Sequence, residues 1–261
     1  MTNKRTLIVA NWKMNLNTSQ ASILLHRLHE RIRIHRDIEV VLAPSMLVLQ
    51  PLSVQIDRRK FRLAAQNAHH KDEGAYTGEV SFTMLQDLVH YAIVGHSERR
   101  IYFNESLEDT RDKVAAALRN DITPILCVGE TEVEHKNKET RQVLHDQIVT
   151  ALSNVSSSEI KDIVIAYEPV WAIGSGKVAE PKDVEQVTSS IYDYLVAHYD
   201  RVAAESVEYL YGGSVDAGSV TQFVGKVCNG ALIGGASNTP DGFFEIISRF
   251  NYSKPKPKPD F

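Results

Sequence analysis

The chain has 261 residues, 43% of them hydrophobic and 24% charged, which is enough apolar material for a full core and excludes a disordered, charge-swollen chain. A net charge of −4 points away from a general nucleic-acid or anionic-membrane binder, and no apolar run approaches the roughly 20 residues of a membrane span. Cys127 and Cys228 fit no metal or redox spacing and the apolar run after Met1 is too short for a signal peptide, so we expect a reduced, cytoplasmic setting with no nucleic-acid or membrane partner.

Strand-like and helix-like runs alternate along the chain. Leu7–Ala10 reads as a first buried strand. A helix follows from Ser19 to about Ile34, with Leu24, Leu28 and Ile32 on one face. Glu39–Ala43 is the second strand, closed by Pro44, and a short helix covers Met46–Leu52. Phe61–Ala65 is the third strand. A long polar loop, Gln66–Glu79, and a short helix near Met84–Leu88 come next. Tyr91–Val94 is the fourth strand, and Leu107–Asn120 a helix with Val114, Ala117 and Leu118 inward. Thr123–Val128 is the fifth strand, followed by a charged helix over Thr140–Leu152. Ile163–Ala166 is the sixth. Its helix starts near Pro181, a favoured first-turn residue, and turns Val184, Val187, Ile191 and Leu195 inward. Val207–Tyr211 and Ala231–Ile233 are the last strands, with helices near Ser219–Val224 and Asp241–Phe250.

Apolar strands without polar alternation are covered on both faces, as in a parallel sheet. Eight strand–helix units without a linker predict an α/β fold, a closed (β/α)₈ TIM barrel, as one domain over residues 1–250. An open doubly wound sheet usually carries Gly-x-Gly-x-x-Gly after its first strand, and here that place holds Asn11-Trp12-Lys13-Met14-Asn15. Residues 251–261 are a Lys/Pro-rich stretch, with Lys and Pro alternating over 254–259, and predict an extended, solvated tail.

Barrel chemistry collects where strands end. Those ends carry Asn11 and Lys13, His96 and Glu98, Glu168, Gly212-Gly213-Ser214 and Gly234-Gly235-Ala236-Ser237. Glu168 stands at a strand end before Pro169 and an apolar segment with glycines at its far end. It reads either as a base beside a closable lid or as an ordinary glutamate on a turn. The two glycine pairs read as tight turns or as a backbone cradle for a phosphate. Lys13 is either solvated or a cation near that phosphate, and His96 can polarise a carbonyl. Together these residues suit proton transfer next to the carbonyl of a small phosphorylated substrate. No His/carboxylate set has metal-ligand spacing, and no Gly-x-Ser-x-Gly elbow is present.

Six ordered blocks spanning residues 11 to 237 resemble the triosephosphate isomerase family. They are Asn11-Trp12-Lys13-Met14-Asn15, Val94-Gly95-His96-Ser97-Glu98-Arg99-Arg100, Cys127-Val128-Gly129-Glu130, Ala166 through Gly174, Tyr211-Gly212-Gly213-Ser214-Val215 and Ile233-Gly234-Gly235-Ala236-Ser237. The resemblance implies interconversion of dihydroxyacetone phosphate and glyceraldehyde 3-phosphate without metal or organic cofactor. It implies Glu168 as the base, His96 as a neutral imidazole on the carbonyl, and Lys13 with Asn11 beside developing charge. By it, Glu98 supports Lys13, residues 173–177 close over the substrate, and Gly174, Ser214, Gly234 and Gly235 hold the phosphate. It further implies a homodimer in which the 66–79 loop brings Thr77 near Asn11 and Lys13 of the partner subunit.

Ser175, where the family commonly has Thr, the absence of a proline after Ser81, Ala68 and His69 in the dimer loop, a compact stretch between Val224 and Gly230, and the tail are departures. An aldolase-type barrel would want a Schiff-base lysine on a mid-barrel strand, and Lys13 is the only strand-end lysine. The alternative function is a catalytically silent barrel that binds phosphate ligands or partners.

Overall fold

The computed structural model describes residues 5–33, 37–173 and 177–251. Eight parallel strands pair in chain order: β1 Thr6–Asn11, β2 Ile38–Ala43, β3 Phe61–Ala65, β4 Tyr91–Val94, β5 Thr123–Val128, β6 Val164–Tyr167, β7 Glu208–Tyr211 and β8 Gly230–Ile233. β8 pairs back onto β1, closing the predicted barrel. Successive side chains alternate between the two faces of a strand. Leu7 and Val9 of β1 therefore join the interior cluster with Val41, Ile93, Val164, Ala166, Leu210 and Leu232. Ile8 and Ala10 face outward, into the larger core shared with the helices. Both faces are dry, which is why the strands read as unbroken apolar runs. Closure depends on Gly230, where a Cβ would lie 1.8 Å from the Leu7 carbonyl oxygen.

The helices form the outer layer: α1 Thr18–Arg31, α2 Met46–Ser53, α3 Phe82–Leu85, α4 Ser97–Tyr102, α5 Leu107–Arg119, α6 Glu132–Lys136, α7 Thr140–Leu152, α8 Pro181–His198, α9 Arg201–Ser206, α10 Val220–Phe223 and α11 Pro240–Asn251. The helix expected at Met84–Leu88 is shifted to α3, because the Ser81 hydroxyl accepts the Met84 N–H and sets the first turn. Three helices were not expected: α4, α6 and α9. Each is too short to show an amphipathic period. Their sequence signals are caps, the Thr131/Glu134 capping box of α6 and the Asp200 side chain that accepts the Ala203 N–H of α9. Ile34, where the first helix was expected to end, and tail residues 252–261 lie outside the described residues. Among the described residues, no helix is long and apolar enough to cross a membrane.

α5 starts with a capping box in which the Ser106 hydroxyl accepts the Asp109 N–H and the Asp109 carboxylate accepts the Ser106 N–H. Ser106→Ala removes the acceptor for one helix-end donor and is expected to cost about 1 kcal/mol. Urea denaturation reads this as a lower midpoint with unchanged slope, and an unchanged midpoint would contradict the cap's contribution.

Candidate active site

The interior rows of the barrel run on to its C-terminal rim. Stepping by two from Leu7 and Val9 reaches Asn11. The same step from Val164 and Ala166 reaches Glu168, from Leu210 it reaches Gly212, and from Leu232 it reaches Gly234. The Glu168 N–H still donates to the Val128 carbonyl at 2.7 Å, so the ladder holds the residue one step beyond β6. Pro169 has no N–H with which to extend it. Two glycines make room for Glu168. A Cβ on Gly129 would sit 1.7 Å from its carbonyl oxygen, and one on Gly212 would sit 2.8 Å from its Cγ.

His96 arrives from β4 through Gly95, whose φ of +71° is open to glycine at little cost. It caps α4, and its Nδ1 accepts the Glu98 N–H at 3.2 Å. A ring nitrogen that accepts carries a lone pair, so the proton of the neutral ring sits on Nε2. That Nε2 is 3.0 Å from Glu168 Oε1, and the Ser97 N–H donates to Glu168 Oε2 at 3.0 Å. Glu168 is only 1% exposed.

Burial and pairing oppose each other at both groups. Burial pushes the Glu168 carboxyl up, but the His96 charge and hydrogen bond, with the Ser97 N–H, outweigh it and hold the carboxyl below its ordinary value. Burial pushes His96 down, and the docked Glu168 carboxylate reverses this and leaves it raised. The lowered Glu168 stabilises the fold above the unfolded carboxylate value and loses that contribution as pH falls through its folded value. The raised His96 contributes below the unfolded imidazole value and loses it as pH rises through its folded value. Glu168→Gln removes the charge that lifts His96 and leaves burial, so His96 is expected to titrate at lower pH than in the parent. Ring ¹⁵N shifts read this directly, and a rise in the variant would contradict the assignment.

Lys13 lies in the left-handed region at φ 53°, with its N–H donating to Asn11 Oδ1 at 3.1 Å. Its Nζ donates to Glu98 Oε1 at 2.5 Å, and its stem passes over Gly234, 3.3 Å from where a Cβ would stand. Asn11, Lys13, His96, Glu168, Ser214, Gly234 and Gly235 all line one cavity of about 260 Å³. Glu98 lies outside it, behind Lys13. Ile173 forms part of the wall, and the Ser214 hydroxyl ties down the turn before it by donating to the Ala172 carbonyl at 2.5 Å. Gly174, Ser175 and Gly176 lie outside the described residues. Thr77 is exposed on its own loop and does not line this cavity.

Sequence reasoning missed three parts of the site. The Ser97 N–H leaves no mark on residue type. In sequence Gly212 reads as a phosphate-turn glycine and Gly129 only as part of a resembling block, and the room both make for Glu168 could have been found by counting strand parity to the rim. Glu130 has no exposed surface and accepts from the Tyr167 hydroxyl at 3.1 Å and the Trp171 indole N–H at 2.9 Å. Its signals were an acid following a strand end and its place in the Cys127-Val128-Gly129-Glu130 block, neither of which assigned it a role.

A carboxylate, an imidazole and an ammonium converge on a glycine-lined cavity at the rim of a (β/α)₈ barrel, which defines an acid–base enzyme of the barrel class. A triosephosphate isomerase family profile matches residues 6–250. A triosephosphate isomerase of Alkaliphilus metalliredigens is 39% identical over 247 residues, 94% of this chain and 99% of that protein. Those of Endomicrobium trichonymphae and Carboxydothermus hydrogenoformans are 40% and 38% identical, over 96% and 94% of this chain and 100% and 98% of their own lengths. The chain belongs to the triosephosphate isomerase family.

Proposed function

We infer that the protein interconverts dihydroxyacetone phosphate and glyceraldehyde 3-phosphate, with Glu168 as the base that moves the proton. The observation that carries the reading is the buried Glu168–His96 pair, 3.0 Å apart on one cavity with Lys13 and the glycine turns. Glu168 takes the proton from the carbon beside the carbonyl, leaving an enediolate, and returns it to the neighbouring carbon. The Nε2–H of His96 donates to the carbonyl oxygen as charge gathers there and passes protons between the two enediolate oxygens. As Glu168 turns from His96 to substrate, the charge that raises His96 recedes and burial favours the neutral ring. Lys13, with Asn11 beside it, offsets the negative charge, and Glu98 fixes the ammonium. The backbone of Ser214, Gly234 and Gly235 cradles the phosphate, joined in this proposal by Gly174. Ile173 covers the intermediate and limits water, which would let the enediolate eject its phosphate.

Lys13→Met keeps the stem over Gly234 and deletes the charge. It is expected to raise KM and to lower kcat/KM on the order of 10²- to 10³-fold. Steady-state kinetics check this, and parent-like kcat/KM would remove Lys13 from the site. The reading as a whole is tested by turnover of glyceraldehyde 3-phosphate in chelated buffer. A folded protein that binds triose phosphate without turning it over would overturn it.

The proposal extends to a homodimer. A second cavity of about 430 Å³ abuts the first and is lined by Asn11, Lys13, Met14, Met46, Glu98 and Phe103 among others. Met14 is 96% exposed and Phe103 65%, apolar surface that favours a covering partner. The 66–79 loop of a second copy, with Thr77, is the proposed occupant. A cytoplasmic setting is proposed as well, supported by two buried, free thiols.

A further inference from the structure

Helix α6 contacts both Trp171 and Lys177. The His135 ring stacks on the Trp171 indole, with centroids 4.6 Å apart and planes at 30°. Its Nδ1 is 3.3 Å from Glu130 Oε1, the oxygen that also accepts the Trp171 N–H. Lys177 Nζ donates to Glu132 Oε1 at 3.2 Å, with Lys136 Nζ 3.1 Å from the same oxygen. The Val170–Ala172 turn between Glu168 and Ile173 is thus held by Trp171 on Glu130, by the Val170 N–H on the Glu130 carbonyl, and by Ser214 on Ala172.

We propose that His135 is a titratable positioning residue, holding Trp171, and through it the turn that carries Ile173 over the cavity, more firmly when the ring is charged. The proposal rests on the isomerase reading of the site. Glu130 is a carboxylate without solvent contact, and among the described residues its side-chain hydrogen-bond donors Tyr167 and Trp171 are neutral. A protonated His135 faces that buried charge and lies over the indole as a cation, so both contacts strengthen together. A neutral ring keeps the stack and loses the charge. In the position held here, Ile173 is part of the cavity wall and the turn is docked on Ser214, so firmer holding favours substrate binding.

Other charged groups face the same groove: Lys138 and Arg141 with His145 from the α7 side, and Asp183, Asp193 and His198 from α8. Glu132, Glu134 and Lys136 share α6 with His135. All of these are unchanged between parent and variant, so a comparison of the two cancels them, along with the titration of the substrate phosphate.

The test compares the parent with His135→Gln and His135→Arg from about pH 5 to about pH 8. His135 is 42% exposed, so neither change disturbs the core. The KM of His135→Gln relative to the parent is expected to be roughly threefold higher at the acid end and to fall toward unity at the alkaline end. His135→Arg, always charged, should hold the low KM across the range, with kcat little changed in both variants. Trp171 emission provides a second readout, because a protonated imidazole in contact with an indole quenches it. Trp12 is buried and is subtracted with Trp171→Phe. Quenching on acidification should appear in the parent and vanish in His135→Gln. A pH-independent KM ratio, or the same emission titration in parent and His135→Gln, would overturn the proposal. The emission arm needs no turnover, so failure of the contact and failure of the isomerase reading are separate results.

Discussion

Glu168→Gln is expected to lower kcat on the order of 10³-fold while the barrel stays folded. The amide removes the base without changing size. It keeps one of the two hydrogen bonds that dock the side chain, since its oxygen still accepts from His96 Nε2. Its NH₂ then faces the Ser97 N–H, which loses the acceptor it has at 3.0 Å. A buried donor left unmatched costs about 1–3 kcal/mol, a measurable loss of stability that leaves a barrel of this core size standing. Steady-state kinetics and urea denaturation on the same preparation separate the two effects. A variant with near-parent kcat would mean that another group takes the proton.

The largest expected stability effect comes from one methyl group. Gly129→Ala would put a Cβ 1.7 Å from the Glu168 carbonyl oxygen, a backbone atom held in place by the ladder between β5 and β6. No rotamer relieves such a clash. The chain at residues 129 and 168 must separate, breaking the 2.7 Å bond from the Glu168 N–H to the Val128 carbonyl. The expected cost is roughly 4 kcal/mol or more, with loss of activity in whatever remains folded because the base is displaced. Gly235→Ala is the informative control. Nothing lies within 4 Å of its added Cβ, so stability should hold while KM rises, if the backbone there must approach a phosphate. Denaturation midpoints for the two variants check the contrast, and parent-like stability of Gly129→Ala would contradict the packing described.

The barrel was legible because each strand is covered on both faces, and eight such runs alternating with helical faces leave few other folds. Val184, Val187, Ile191 and Leu195 are all buried as the helical period required. The candidate site was legible in residue type and position to this extent: Asn11, Lys13, His96 and Glu168 all stand at strand ends and meet on one cavity. What could not be read was anything set by backbone groups or by packing between distant segments. The Ser97 N–H that docks Glu168 depends on the bend at Gly95 and the first turn of α4. The Glu130 network joins three segments, and α6 was invisible because its five residues carry no buried side chain. Gly129 looks like any turn glycine until the β5–β6 register places it against Glu168.

The most direct test of the central claim is to run the isomerisation of glyceraldehyde 3-phosphate in deuterium oxide and locate the label in dihydroxyacetone phosphate. Proton transfer by a carboxylate through an enediolate predicts deuterium bonded to C1 of the product, because the proton on Glu168 exchanges with solvent before it is returned. It also predicts that Glu168→Gln abolishes this labelling together with turnover. Full conversion with no carbon-bound deuterium in the parent, together with turnover retained in Glu168→Gln, would mean that hydrogen passes between the two carbons without Glu168 as the base.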